Sequence, residues 1–189
     1  IFPEKASPVA RIRWRGLLVR HLLNMTSGAS INELASVTQT DWVRGFLDSV
    51  PQFEPGESFQ YNSMNSYMLS AIICKKTGGT LTEFLQARLF GPMGIRDFHW
   101  ETCPLGIEKG GWGLYLKQED MAKLGLLVLQ RGRWDGRALV PEGYIREMSR
   151  KQSEPPAEMS DYGYGWQCWL WARPGSILFN GLFGQNILV

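Results

Sequence analysis

The chain has 189 residues, of which 44% are hydrophobic and 20% are charged, and its formal net charge is +2 at pH 7. This composition is typical of a globular protein and excludes an intrinsically disordered chain. The small charge gives no indication of a nucleic-acid partner. No apolar run approaches the ~20 residues that a membrane-spanning helix needs, and the first residues do not resemble a signal peptide. The cellular compartment therefore stays open.

The cysteines and histidines do not form a recognisable metal-binding pattern. Cys74, Cys103 and Cys168 lie far apart without a Cys-x-x-Cys pair, and only His21 and His99 accompany them. An odd number of cysteines also argues against a disulfide framework. We therefore expect no metal site and no cofactor, and the pattern assigns no role to the three cysteines.

Helical patterns occupy the first part of the chain. Residues 17–25 predict a short helix that closes near Gly28, and residues 40–49 predict a second one. The strongest pattern follows Tyr61, because apolar residues recur there at helical spacing until Gly78. That glycine stands where a left-handed C-cap belongs.

Three further helices follow in the sequence. Thr80 and Glu83 form the capping-box pattern of a helix that runs to about Phe90 and is stopped by a Gly-Pro pair. Residues 118–130 are apolar on nearly every face, which predicts a buried helix. Pro141 predicts the first position of a last short helix.

The end of the chain predicts β-structure. Three segments are rich in aromatic and β-branched residues: 162–171, 177–179 and 186–189. They predict two or three antiparallel strands. The last pattern shows no turn signal, and so small a ribbon would expose an unpaired edge and an aromatic face. We therefore expect a piece of a larger protein.

The predicted fold class is α/β in the α+β arrangement, with helices before strands. Residues 1–155 are expected to form a mainly helical region, and residues 156–189 are expected to form antiparallel strands of an incomplete sheet. Both regions are expected to belong to one domain. The length suits one medium domain or part of a larger one.

A tyrosine on the turn before the strongest helix is the first functional candidate. The segment from Pro55 to Ser63 places Tyr61 where a phenol can face a cleft and carry a proton. In isolation, a tyrosine at the edge of the core is the commoner explanation. No serine of the chain is followed three residues later by lysine, so the nucleophile that such a tyrosine serves is absent from this sequence.

Six segments together resemble the β-lactamase-related serine hydrolases, a family that includes class C β-lactamases, DD-peptidases and related esterases and amide hydrolases. In family order they are VRHLLNMTSG at 19–28, FQYNSMNSY at 59–67, LFGPMGI at 89–95, GWGLY at 111–115, DMAKLG at 120–125 and GLFGQ at 181–185. Each motif alone is weak, but six in register across the chain are specific. The resemblance covers the middle and late parts of the family domain. It implies an antiparallel sheet flanked by helices, with the active site between the sheet and the helical region.

The chemistry of that family uses three sequence elements. The first, Ser-x-x-Lys at the start of a helix, would precede residue 1. The second, a Tyr-x-Asn loop, corresponds to residues 61–63, with Ser63 in place of asparagine. The third, a Lys-Thr-Gly-like segment on a strand, corresponds to residues 179–181, with Phe179 in place of the cation.

The resemblance implies acyl transfer, in which a base activates a serine hydroxyl. A lysine beside the tyrosine lowers the pKa of the phenol, and Tyr61 would pass the proton to the leaving group. The backbone N–H of Leu182, which follows Gly181, would bind the developing oxyanion. Without the lysine, the phenol is expected near its ordinary pKa of about 10, and this chain alone is expected to be inactive.

Several of these candidates have a second explanation. Ser63 is either the N-cap of the following helix or a hydrogen-bond partner of the substrate. Trp112 either walls a substrate pocket or covers the core. Leu182 can be an ordinary strand residue, and His21 on its leucine-rich helix is expected to be structural. Residues 76–78 spell Lys-Thr-Gly, but a predicted helix end favours that cation and glycine for local reasons, so we assign them no catalytic role.

Three functional hypotheses remain. The chain is part of a serine hydrolase that acts by acyl transfer, a non-catalytic ligand-binding module, or an inactive fragment of the same fold. The loss of a cation at Phe179 favours neutral esters or amides over β-lactams, because a cation there would pair with a carboxylate. The expected partners are a small-molecule ester, amide or β-lactam and the missing N-terminal segment of the same domain, without nucleic acid or a membrane span. The substrate and the oligomeric state stay open.

Overall fold

The structure, a computed structural model, describes all residues from Ile1 to Val189. The helices in chain order are α1 (Pro8–Arg13), α2 (Val19–Leu23), α3 (Glu33–Ser36), α4 (Trp42–Asp48), α5 (Ser63–Thr77), α6 (Leu81–Leu85), α7 (Gln118–Leu129) and α8 (Glu142–Met148). A π-helical turn, Gln86–Phe90, follows α6 directly. None of these helices has the length and apolar character needed to cross a bilayer.

Seven short strands form three separate sheets. The strands are β1 (His99–Trp100), β2 (Leu114–Tyr115), β3 (Arg133–Trp134), β4 (Arg137–Ala138), β5 (Trp169–Leu170), β6 (Ile177–Asn180) and β7 (Asn186–Leu188). The first two sheets pair β1 with β2 and β3 with β4. In the third, β6 lies antiparallel between β5 and β7, with Trp169 opposite Leu178 and Phe179 opposite Ile187. The three predicted antiparallel strands therefore form, although they are shorter than their sequence patterns.

The chain folds as two compact units, each built from two segments. Unit 1 contains residues 1–84 and 99–114, and unit 2 contains residues 85–98 and 115–189. The predicted division of one domain near residue 155 stays a prediction.

The core of unit 1 forms where α4 and α5 pack together. The buried side chains of α5 include Met64, Tyr67, Met68 and Ala71, which share one cluster with the buried residues Trp42, Val43, Phe46 and Leu47 of α4. Helix α5 starts at the Asn62 cap and ends at Gly78, whose φ of 75° provides the left-handed C-cap that the sequence predicts. This helix is confirmed over its predicted length. The segment before it, residues 55–62, is called the tyrosine turn below, and the N-terminus of α5 positions it.

The next helix, α6, is capped by two sets of hydrogen bonds. Thr80 and Glu83 form the predicted capping box, in which each side chain accepts from the other's backbone N–H, at 2.8 and 3.0 Å. The buried Glu108 carboxylate also accepts from the N–H groups of Leu81 and Thr82, at 3.2 and 3.0 Å. Burial alone would raise the pKa of Glu108, but these donors prevail and hold it below its usual value.

Unit 2 has a smaller core beneath the third sheet. Ile145 and Met148 of α8 pack with Ile177 of β6 and with Cys168, and Phe179 contacts the same cluster. At Gly125 of α7, an added Cβ would lie 2.9 Å from the side chain of Ile187, so this glycine allows α7 and β7 to approach closely. Strand β6 therefore turns Ile177 and Phe179 toward the core of this unit.

Two local predictions are wrong. The helix expected to be buried is α7, in which Leu126 and Leu129 are 41% and 68% exposed. Its apolar surface exceeds what the core of unit 2 covers. Pro141 is the N-cap residue of α8 and not its first helical residue.

Candidate functional site

Two backbone hydrogen bonds join the tyrosine turn to the segment that follows α2. The N–H of Gln60 donates to the carbonyl of Met25, and the N–H of Gly56 donates to the carbonyl of Thr26, both at 2.8 Å. Tyr61 is 42% exposed at the end of this turn, so its phenol is not sealed in apolar packing. Its position directly before α5 agrees with the sequence pattern.

Asn62 fixes the end of the turn, directly before α5. Asn62 is buried, with only 6% of its surface exposed. Its Nδ2 donates to the carbonyls of Ala29 and Ile31, both at 2.8 Å. Its Oδ1 accepts from the N–H of Met64 at 2.9 Å, which makes Asn62 the N-cap of α5. Of the two explanations for Ser63, the N-cap is therefore wrong, because Asn62 already supplies the capping oxygen and Ser63 is the first helical residue.

Ser63 instead uses its side chain to reach α3. Its Oγ donates to the Oε1 of Glu33 at 2.6 Å. Glu33 was not among the predicted site residues, and it lies 30 residues before its partner in the sequence. No local pattern distinguishes this carboxylate from other surface acids, so only the fold brings it to the site.

The electrostatic environment of Tyr61 keeps its phenol protonated. Partial burial raises the pKa of Tyr61 above its ordinary value, and the negative charge of Glu33 raises it further. The pKa of Tyr61 therefore lies above the ordinary value that the sequence predicts. Within this chain Tyr61 is a neutral phenol at neutral pH, so it can donate a proton but cannot act as a base without a nearby cation.

A glycine pair brings the loop of Trp112 against the start of α5. A Cβ on Gly111 would lie 2.6 Å from the carbonyl oxygen of Ser63, and a Cβ on Gly110 would collide with the carbonyl of Ser66. Only glycine permits this contact between loop and helix. The structure thus places Trp112 close in space to Ser63.

Trp112 is partly buried and belongs to an aromatic group. Its ring stacks on Trp42 with centroids 5.5 Å apart, and Trp42 makes an edge contact with Tyr67 at 5.1 Å. The Nζ of Lys109 lies 5.7 Å from the Trp112 ring and forms an ion pair with Glu101 at 2.6 Å. These contacts favour the explanation that Trp112 covers the core, and they leave only part of the ring for a ligand.

His21 is a structural residue beneath the tyrosine turn. The N–H of Leu18 donates to its Nδ1 at 3.3 Å, and Gly56 lies against its ring, since a Cβ there would be 3.2 Å from Nε2. Burial lowers the pKa of His21, with a smaller contribution from Arg20. The nearby Asn65 accepts from the hydroxyl of Ser27 at 2.6 Å and supports the same segment from α5.

The third-motif residues lie in unit 2. Phe179 packs against the core cluster of that unit, and Gly181 and Leu182 begin the turn between β6 and β7. This turn is closed by a hydrogen bond of 3.0 Å from the N–H of Gly184 to the carbonyl of Gly181. Leu182 is 91% exposed, so its side chain is not an interior strand residue.

The three cysteines are free thiols, and they are not grouped with other metal ligands. Burial raises the pKa of Cys168 to about 12, which keeps this thiol unreactive. Cys103 accepts a hydrogen bond from the hydroxyl of Tyr67 at 3.4 Å. No group of three or more His, Cys, Asp or Glu side chains in the structure could hold a metal ion.

Comparison with known families gives one match over nearly the whole chain. The family model described as Beta-lactamase matches residues 4–189. Among curated proteins, penicillin-binding protein 4* of Bacillus subtilis (strain 168) is 22% identical over 200 residues, which cover 81% of this chain and 43% of that protein.

Solved structures show the same fold. A putative 6-aminohexanoate-dimer hydrolase from Bacillus anthracis has a TM-score of 0.76 at 20% identity, over 95% of this chain and 56% of that one. A D-stereospecific amidohydrolase from Streptomyces sp. has a TM-score of 0.61 at 18% identity, over 92% of this chain and 60% of that one. The chain spans about half of the length of these relatives. The predicted mixed α/β fold and the predicted resemblance are confirmed.

Proposed function

This chain belongs to the beta-lactamase family of serine hydrolases, and we propose that it forms part of an enzyme that cleaves an ester, amide or β-lactam by acyl transfer. Tyr61 is the proton shuttle of the proposal. The observation that carries it is the position of this phenol, half-exposed on a turn that Asn62 and the Met25 carbonyl fix to unit 1.

The nucleophile comes from a Ser-x-x-Lys segment outside residues 1–189. No serine in these residues has a lysine three positions later. A lysine ammonium beside Tyr61 would lower the pKa that burial and Glu33 raise, because an adjacent cation stabilises the phenolate. The Tyr61 phenol can therefore act as an acid in this chain, and it needs the lysine of the Ser-x-x-Lys segment to act as a base.

The proposed reaction has two proton transfers at Tyr61. The serine oxygen attacks the carbonyl carbon and gives its proton to the lysine and tyrosine pair. Tyr61 then returns a proton to the leaving oxygen or nitrogen as the bond to the carbonyl carbon breaks, and water repeats the sequence on the acyl-enzyme. Ser63 and the exposed part of Trp112 contact the substrate from unit 1, and the roles expected of Gly181 and of the backbone N–H of Leu182 in unit 2 stay predictions.

Esters or amides that lack a carboxylate are the favoured substrates. Phe179 stands where the family has a cation, and its ring packs with the unit 2 core, so it offers no charge to a substrate carboxylate. In support, one structural relative is named a D-stereospecific amidohydrolase, and another is named a putative 6-aminohexanoate-dimer hydrolase.

A fluorophosphonate probe tests the missing nucleophile. We expect no labelling of the 189-residue chain, and stoichiometric labelling of the same chain extended upstream through a Ser-x-x-Lys segment. Labelling of the short chain would contradict the proposal. The control is Tyr61→Phe in the extended protein, which keeps the serine but removes the proton shuttle, so ester hydrolysis should fall by about 100-fold or more.

The alternative function is a non-catalytic ligand-binding module. The departures from the family motifs at Ser63 and Phe179 favour it. If the extended protein remains unlabelled and hydrolyses neither esters nor amides, this alternative replaces the hydrolase.

A further inference from the structure

The Glu33 carboxylate lies beside Tyr61 and Ser63, two of the three residues of unit 1 that the proposed function places at the substrate. It accepts from the Oγ of Ser63 at 2.6 Å. Its charge also acts on the neighbouring Tyr61 phenol, whose ionisation it opposes. None of the ion pairs in the structure includes Glu33, so its negative charge is not neutralised by a lysine or arginine.

Hydrogen bonds fix the backbone on both sides of Glu33. Asn62 clamps the carbonyls of Ala29 and Ile31, which fixes the backbone just before α3. Asn32 then caps α3 by accepting from the N–H of Ala35 at 2.9 Å. Glu33 is the first residue of that helix, so its backbone is positioned on both sides.

Its location at the start of α5 is one that favours anions. The N-terminus of a helix carries unpaired N–H groups and a partial positive charge. Through Ser63, the first residue of the 15-residue helix α5, Glu33 places its own carboxylate there. A substrate carboxylate approaching the same helix end would meet a negative charge already in place.

We propose that Glu33 is a specificity-determining residue of this site, favouring substrates that carry an ammonium group near the scissile ester or amide and disfavouring those that carry a carboxylate. This inference rests on the proposed function, and it adds a charge preference that the loss of the family cation at Phe179 does not by itself supply. Loss of a cation removes an attraction for carboxylates, whereas Glu33 adds an attraction for cations.

Matched substrates test the preference in the extended, active hydrolase. Three esters with the same leaving group and equal acyl length should end in an ammonium, a methyl or a carboxylate group. For Glu33→Gln, we expect the ratio of kcat/KM for the ammonium ester to that for the carboxylate ester to fall about tenfold, because each exposed charge contact contributes a few-fold. The methyl ester should change less than twofold.

Two variants separate the charge at this position from other effects. Glu158→Gln removes the same charge from an exposed position in unit 2 and should leave the ratio unchanged. Glu33→Asp keeps the charge and should keep most of the preference. That result would show that a substitution at position 33 does not by itself remove the preference. In the wild-type protein the ratio should fall as salt rises, and in Glu33→Gln it should not. An unchanged ratio in a folded Glu33→Gln protein overturns the inference.

A binding measurement on the 189-residue chain keeps this inference separate from the proposed function. Benzylammonium and benzoate have nearly the same size and opposite charge. With ¹³C-labelled tyrosine, we expect benzylammonium to shift the Tyr61 ring signal at lower concentration than benzoate, and Glu33→Gln to abolish the difference. Equal responses in the wild-type chain overturn the inference even if hydrolysis is found. A clear difference supports it even if hydrolysis is absent.

Discussion

Asn62 shows how a single amide can hold a site together. Three hydrogen bonds from its buried side chain join the tyrosine turn, α5 and the segment before α3. Their loss would leave two backbone carbonyls and one N–H without partners. The residue between the two proposed functional side chains is thus a structural one.

We predict that Asn62→Ala lowers the free energy of unfolding by about 3 kcal/mol, the combined effect of a lost N-cap and of buried carbonyls left unpaired. Urea unfolding of the 189-residue chain measures it. The matched control is Asn32→Ala, which removes the exposed N-cap of α3 and should cost about 1 kcal/mol. Equal losses in both variants would show that the clamp on Ala29 and Ile31 adds nothing.

His21 gives unit 1 a defined pH dependence. Since burial lowers its folded-state pKa, the unfolded chain binds the proton more readily. The stabilisation is therefore complete above the unfolded-state pKa of about 6.5 and is lost as the pH falls through the lower folded-state pKa. Protonation of Nδ1 would also remove the acceptor for the Leu18 N–H.

We predict that His21→Gln flattens the fall in unfolding free energy between about pH 7.5 and 5.5. Chemical unfolding at a series of pH values measures this slope. His99→Gln removes the other, exposed histidine and should retain the wild-type slope. If the slope is the same in all three proteins, His21 is not its source.

At the level of elements, the loop that contains Gly110 and Gly111 packs against the start of α5 and so sets the distance between Trp112 and Ser63. Gly111 has no positive φ, so glycine is needed there only because a side chain would collide with the Ser63 backbone. We predict that Gly111→Ala moves the loop away and lowers the free energy of unfolding by about 1 to 3 kcal/mol. Urea unfolding measures the loss, and the fluorescence of Trp112 reports the displacement.

The matched substitution is Gly16→Ala, where nothing lies within 4 Å of the added Cβ. It should change the free energy of unfolding by less than about 0.5 kcal/mol. A Gly111→Ala protein as stable as Gly16→Ala, with unchanged fluorescence, would show that the loop adapts without cost.

Long elements with complete signals were the most predictable, whereas some short ones were missed. Helix α5 has an N-cap, a helical repeat of apolar residues and a glycine C-cap, and each signal points to the same boundaries. Helix α3 has only four residues and depends on the clamp from Asn62, which is distant in sequence. The β3–β4 hairpin was not predicted, although Asp135-Gly136, both with positive φ, is a typical hairpin-turn sequence.

At the scale of the whole molecule, the family could be predicted because its motifs recur in order along the chain. The position of Tyr61 followed from the same motifs. The hydrogen bond between Glu33 and Ser63 could not be predicted, because only folding brings this surface carboxylate to Ser63. The same holds for Asn62, because its two carbonyl partners lie about 30 residues earlier.

The interleaving of the two units has a consequence for any attempt to divide the protein. The backbone passes from one unit to the other three times, after residues 84, 98 and 114. A protease that cut once, between Phe84 and Leu85, would still leave residues 99–114 on the second fragment. Those residues contribute Glu108 and Trp112 to the first unit. The two halves of a nicked chain should therefore remain associated.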